Sequence, residues 1–318
     1  MTELPSVSTP TASTPAAPAS SPASSGTADP LRRVRVFGLD FVAADSVAPV
    51  AAETADPLRR VRVFGLDFVA ADSVEPVAAE LVRRTVAGER GLLVVTPNVD
   101  HLVTYEREPR LRAIAERADY LLPDGAPIVW AAALLRRPLG RRLTGSDLFV
   151  PVWAGLKDAG LPMVIVAADE EGAARLVAEQ PTTEAIVAPF YANDDAVARH
   201  ALAEQVVAAA ERSGAGLAVL GLPLAKTHDL AAEILAIATD TGRVAPTLLL
   251  IGSAADFYVG VKKRAPALVQ RLGLEWLHRL LSEPRRLAKR YLVDDMAFVP
   301  IVARELFAIM RGRSETRG

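Results

Sequence analysis

Apolar residues along this chain fall into short continuous runs, separated by longer stretches in which they recur at helical spacing. Leu92–Val95, Tyr120–Leu122, Pro162–Ala167, Glu184–Ala188, Gly216–Leu220 and Thr247–Ile251 read as buried strands. Ser73–Ala87, Ala126–Leu135, Glu170–Gln180, Asp194–Arg212 and Ala225–Thr239 read as helices. A further helix runs to Asp158, with Ser146-Asp147 as its cap, and Asp194-Asp195 cap another. Apolar strands with helices between them predict right-handed βαβ units. The expected fold class is therefore α/β, a doubly wound and mostly parallel sheet with helices on both faces.

The two ends break this pattern. Residues 1–26 are rich in Ser, Thr, Pro and Ala with one charge, Glu3, and predict a disordered low-complexity tail rather than a signal peptide. Thr27–Glu53 and Thr54–Glu80 repeat the same segment with one difference, Ala48 against Glu75. Each copy predicts a strand (Val34–Phe37, Val61–Phe64), a Gly turn and the start of a helix. Only the second copy runs on into the full helix and central strand. Copy two is thus expected to occupy the fold, with copy one a surplus strand or interaction segment, or a competitor for the same slot. The α/β domain is expected over 54–260. From 261 to 318, short helices punctuated by Pro266, Gly273, Pro284 and Pro300 predict a C-terminal helical appendage. Within it, Met296–Met310 is either a core helix or a surface helix with an apolar face for lipid headgroups.

Charge adds an asymmetry. The formal net charge is −2, which gives no whole-protein case for nucleic acid. From Lys262 to Gly318, however, thirteen Lys and Arg face six Asp and Glu, a balance of +7 that leaves −9 for the rest. Such a tail fits either an anionic surface or phosphate partner, or a solvated helical face. No apolar run reaches the roughly 18 residues of a membrane span, and no cysteine is present to form a disulfide. The sequence leaves self-association open.

The polar residues that could carry chemistry gather where strands end. Asp124, beside Gly125, is either a general base or the N-cap of the following helix. Thr96 and Asn98 are either sugar-binding groups or turn residues. Arg142 precedes a Gly turn and a helix start, the ingredients of a phosphate site. Gly221 and Pro223 form one small-residue turn and Gly252 another, each permitting close approach of a nucleotide. No dinucleotide fingerprint, P-loop, GxSxG elbow or metal-ligand spacing appears, so no metal site and no bound cofactor are expected.

With these residues in view, the chain resembles the WecG/TagA/CpsF family of bacterial glycosyltransferases. TPNVDHL, ADYLLPDG, RRLTGSDL, VLGLP, IGSAADFYVG, RAP and GLEWLHRLLSEPRRLAKRYL occur in the family's order across about residues 60–293. The resemblance implies inverting, metal-independent transfer from a UDP-sugar donor to a polyprenyl-diphosphate-linked sugar acceptor, in cell-surface polysaccharide or teichoic-acid-type polymer synthesis. The transferred sugar would be N-acetylmannosamine, its uronic acid or a hexose. It implies a cytoplasmic protein held peripherally on the inner face of the membrane, an anionic surface. Asp124 matches the base; Thr96 and Asn98 match pocket residues; Arg142 matches a phosphate or sugar ligand; Arg279, Arg286 and Arg290 match basic residues that complete the site. One departure stands out: relatives carry Gln-Glu after the GxP turn, where this chain has Ala225-Lys226. The alternative it leaves open is a non-catalytic nucleotide-sugar or lipid-diphosphate binding protein of the same fold.

Overall fold

A computed structural model describes residues 31–36, 39–44 and 58–262, then 265, 266, 269, 275–282, 285, 289 and 294–315. The low-complexity tail and the side chains of Arg279, Arg286 and Arg290 lie outside the described residues. Two compact units divide the chain, Met1–Ala52 and Glu53–Gly318.

In the first unit, β1 (Leu31–Val36) and β2 (Leu39–Ala44) form an antiparallel hairpin in which Val36 faces Leu39. In the second, β3 (Arg60–Val63) and β4 (Leu66–Val69) repeat that hairpin, with Val63 facing Leu66. This corrects the expectation of a helix start after the Gly turn. In Leu66-Asp67-Phe68, two buried apolar residues flank an exposed Asp, the period of a strand. The loop is Phe64-Gly65, with φ +56° and +71°. Two positive values are what a type I′ hairpin turn requires. Phe64 adopts one because its ring is buried edge-to-face against Phe298, centroids 5.4 Å apart, and Glu305 accepts from its backbone N at 3.2 Å.

After α1 (Glu75–Val86) the chain enters the main sheet. Its strands are β5 (Leu93–Val95), β6 (Tyr120–Leu121), β7 (Val164–Ala167), β8 (Glu184–Val187), β9 (Leu217–Leu220) and β10 (Thr247–Leu250). All pair in parallel, in the order β6-β5-β10-β9-β7-β8. Between them come α2 (Val99–Arg107), α3 (Pro109–Glu116), α4 (Ala126–Leu134), α5 (Gly145–Asp158), α6 (Glu170–Glu179), α7 (Ala196–Ser213), α8 (Leu224–Thr241) and, after β10, α9 (Ala254–Tyr258). The sheet is therefore parallel throughout and doubly wound, as the apolar runs predict.

Successive strand residues feed opposite layers. Leu93, Val95, Val166 and Leu250 pack with α2, α3, α4, α7 and α8, whereas Val94, Ile165 and Leu249 pack with α1, α5, α6 and α9. Neighbouring β5, β10 and β9 thus send the chain off on alternate faces. That alternation opens crevices at their carboxyl ends, the place where α/β sheets bind ligands.

The C-terminal helix, Phe298–Glu315, is buried along one face and exposed along another. Phe298 and Ile301 are buried in the core, while Val299, Leu306, Phe307 and Met310 form an exposed apolar face. Arg304 pairs with Glu106 of α2 at 2.8 Å, and Arg137 with Glu305 at 3.3 Å. No described helix is long and apolar enough to cross a membrane.

Candidate active site

The carboxyl rim of the sheet is assembled by short contacts between the motifs the sequence singles out. Thr96, buried at the end of β5, donates from Oγ1 to Leu250 O of β10 at 3.4 Å. Asp124 donates its backbone N to Pro97 O at 2.9 Å, and Leu143 donates to Pro123 O at 2.9 Å. Gly145, which opens α5, sits against Ile251: a Cβ built on it would lie 2.8 Å from the Ile251 Cβ. On the neighbouring strand, Gly221 N donates to Val166 O at 2.9 Å, and an added Cβ would meet that oxygen at 2.6 Å and Gly252 O at 3.6 Å. Both glycines are therefore dictated by close backbone approach. Gly252 takes φ +53°. Thr96, Asn98, Asp124, Gly221, Pro223 and Gly252 all follow strand ends on this one rim.

Asp124 is half-buried and immediately precedes the capping residue of α4. The N-cap of α4 is Gly125, with no side-chain cap among the described residues. The Asp124 carboxylate reaches the start of α5, where Oδ2 accepts from Gly145 N at 3.4 Å. Thr144, not Ser146 or Asp147, caps that helix, accepting from Asp147 N at 3.0 Å. The positive end of the α5 dipole favours a carboxylate at this position. Asn98 does act as a turn residue: it caps α2 through His101 N at 3.3 Å. An added Cβ on Gly125 would lie 3.9 Å from the Asn98 Cβ, so Asn98 adjoins the turn that carries Asp124.

Arg142 is engaged within the chain. Its Nη1 donates to Glu275 Oε2 at 3.1 Å, both side chains mostly buried, which ties the helix Glu275–Ser282 to the rim. At the α8 start, Pro223 is the N-cap and no side-chain cap occurs among the described residues. Ala225 packs against the core. Lys226 donates to Tyr191 O and stands over the Tyr191 and Phe190 rings, 4.2 and 5.3 Å from their centroids. Phe190 is fully exposed. The Lys226 charge is thus clasped to the loop after β8.

A polar cluster behind Asn98 escapes sequence reasoning. His101 Nδ1 lies 2.9 Å from Asn98 Oδ1. Tyr105 Oη and His228 Nε2 are 2.8 Å apart and buried, and His228 Nδ1 lies 3.0 Å from Leu224 O. A carbonyl only accepts, so Nδ1 carries the proton and Nε2 accepts from the Tyr105 hydroxyl. Burial holds His228 down to about 4 and pushes the Tyr105 hydroxyl far above its usual range. The spacing His101 to Tyr105 marks one helix face, but nothing in the sequence brings His228 to it. Among the described residues no three His, Asp or Glu side chains gather in a way that could hold a metal ion.

A parallel doubly wound sheet with a carboxylate, a carboxamide and tight glycine turns along its carboxyl rim has the layout in which α/β proteins bind their ligands. A family model described as glycosyl transferase, WecG/TagA/CpsF family, matches residues 61–312. The chain belongs to that family of glycosyltransferases. The match begins inside the second copy of the repeat and runs into the C-terminal helix.

Proposed function

We propose that this chain is an inverting, metal-independent glycosyltransferase that moves N-acetylmannosamine, its uronic acid or a hexose from a UDP-sugar to a saccharide on a polyprenyl diphosphate. The product would serve a cell-surface polysaccharide or teichoic-acid-type polymer, made at the inner face of the membrane. In this reading Asp124 takes the proton from the acceptor hydroxyl as that oxygen attacks the anomeric carbon, and UDP departs from the opposite face. Thr96 and Asn98 orient the sugars. The diphosphate is met by helix N-termini and by basic groups, in place of a cation. The tight turns at Gly221 and Gly252 let backbone approach the donor.

The observation that carries this reading is the placement of Asp124: half-buried at the carboxyl rim, and set between the α5 N-terminus and the turn bearing Asn98. The Arg142–Glu275 pair supports the view that the appendage completes the site. The exposed apolar face of the C-terminal helix supports peripheral membrane attachment.

The test is release of UDP from a panel of UDP-sugars, with and without a polyprenyl-diphosphate-linked sugar acceptor and with EDTA present. Release that depends on acceptor and ignores chelator is expected. Release that requires an added divalent ion contradicts the metal-free chemistry. UDP binding with no turnover on any donor favours the non-catalytic binding protein.

A further inference from the structure

The oxygen of the Asn98 carboxamide is held twice by one residue. Its Oδ1 accepts from His101 backbone N at 3.3 Å and faces His101 Nδ1 at 2.9 Å. An amide oxygen only accepts, so Nδ1 must carry the proton. The carboxamide is planar and two-ended. With its oxygen committed to the first turn of α2, its amino group is the end left to face elsewhere, and Asn98 adjoins the Asp124-Gly125 turn.

The cap alone leaves this choice weakly fixed, since it supplies one bond from a backbone donor. The ring supplies the second, and its own freedom is restricted from behind. His101 lies against Tyr105 and His228, centroids 6.2 and 5.9 Å away, and those two residues are hydrogen-bonded to each other and buried. His228 in turn donates to Leu224 O at the start of α8, and Thr227 donates to Leu222 O at 2.6 Å. The cluster therefore links the helix start after β5 to the Gly221–Pro223 turn after β9.

We propose that His101 is a positioning residue: its Nδ1–H fixes the Asn98 carboxamide so that the amino group, rather than the oxygen, meets a substrate oxygen. The catalytic part of this inference rests on the glycosyltransferase reading, whereas the orientation of the amide does not.

The chain contains two asparagines, Asn98 and Asn193, so selective ¹⁵N-asparagine labelling of the full protein gives two side-chain amide pairs, assignable with Asn193→Gln. His101→Ala keeps the backbone cap and removes the ring; His101→Asn places an amide nitrogen where Nδ1 stood. The Asn98 pair should move and exchange faster with water in His101→Ala, and stay near its wild-type position in His101→Asn, whose added third pair is told apart by combining it with Asn98→Gln. Turnover in the UDP-release assay should fall by about tenfold in kcat in His101→Ala, the worth of one lost hydrogen bond. The donor KM should change little, and His101→Asn should restore kcat. An Asn98 pair unmoved by His101→Ala overturns the orientation. A moved pair with unchanged kcat overturns the role in the reaction. No turnover in wild type sinks the glycosyltransferase reading instead, and the amide resonances then decide the orientation alone.

Discussion

Asp124 and His228 are both polar residues at partly or fully enclosed positions, and their surroundings give them different work. Asp124 keeps a half-buried carboxylate at a helix N-terminus, where negative charge is favoured. His228 is kept neutral by burial, with its tautomer set by Leu224 O. The consequence for stability has a definite sign. An unfolded His228 takes up its proton near pH 6.5, but the folded one does so only near 4. Above pH 6.5 neither state is protonated and stability is complete. As pH falls from 6.5 to 4 the unfolded state gains a proton that the folded state refuses, which removes about 3 kcal/mol. Urea unfolding at pH 7 and pH 4.5 should show this loss, and His228→Gln should flatten it. A wild-type midpoint indifferent to pH over that range would contradict the buried neutral ring. Asp124 was legible because it ends an apolar run beside a glycine. His228 was not, because a histidine within an amphipathic helix shows no sign of the tyrosine it meets more than a hundred positions earlier.

Elements place these residues through contacts too close for any side chain. Gly221 ends β9 with its α-carbon facing Val166 O, and a methyl group there would stand 2.6 Å from that oxygen. Gly221→Ala should therefore shift the strand end, costing about 1–3 kcal/mol of stability and weakening UDP binding. Calorimetric titration with UDP alongside thermal unfolding checks both, and a variant with unchanged affinity would remove this turn from the donor site. The short apolar runs foretold the six parallel strands, five of them buried on both faces and β8 partly exposed at the sheet edge. The pattern also contained the hairpin: Leu66-Asp67-Phe68 alternates as a strand should, but the preceding Phe-Gly lacks the Asn-Gly or Asp-Gly that usually announces such a turn. Tertiary packing of Phe64 on Phe298 overrides the local preference. The C-terminal helix was ambiguous in sequence because it is apolar on two faces at once. Its exposed face makes a specific prediction: Phe307→Asp with Met310→Asp should lower binding to anionic vesicles while leaving the buried Phe298 and Ile301 in place. Sedimentation with vesicles at low and high salt measures this, and undiminished binding would assign that face elsewhere.

For the whole molecule, the second copy of the duplicated segment is the one that lies in the unit of the α/β sheet. The second hairpin is tied into its unit by Phe298, Glu305 and Arg137, which donates to Arg62 O at 2.8 Å. The family match starts at residue 61, within that copy. Deleting Thr27–Glu53 should accordingly leave turnover and the main unfolding transition unchanged, as judged by UDP release and calorimetry. A large loss of either would show that the first copy supports the fold. The family was legible from ordered motifs spread over most of the chain. The Arg142–Glu275 pair and the clasp of Lys226 on Tyr191 O were not, because each joins segments that the sequence keeps apart.

The central claim is that Asp124 is the base of a glycosyl transfer, and the most direct measurement compares wild type with Asp124→Asn. UDP affinity is read by calorimetry, and acceptor-dependent UDP release is read on the donor that wild type uses. The account predicts that Asp124→Asn binds UDP as wild type does and turns over at least about a hundredfold more slowly. An Asp124→Asn enzyme that transfers at the wild-type rate would contradict it.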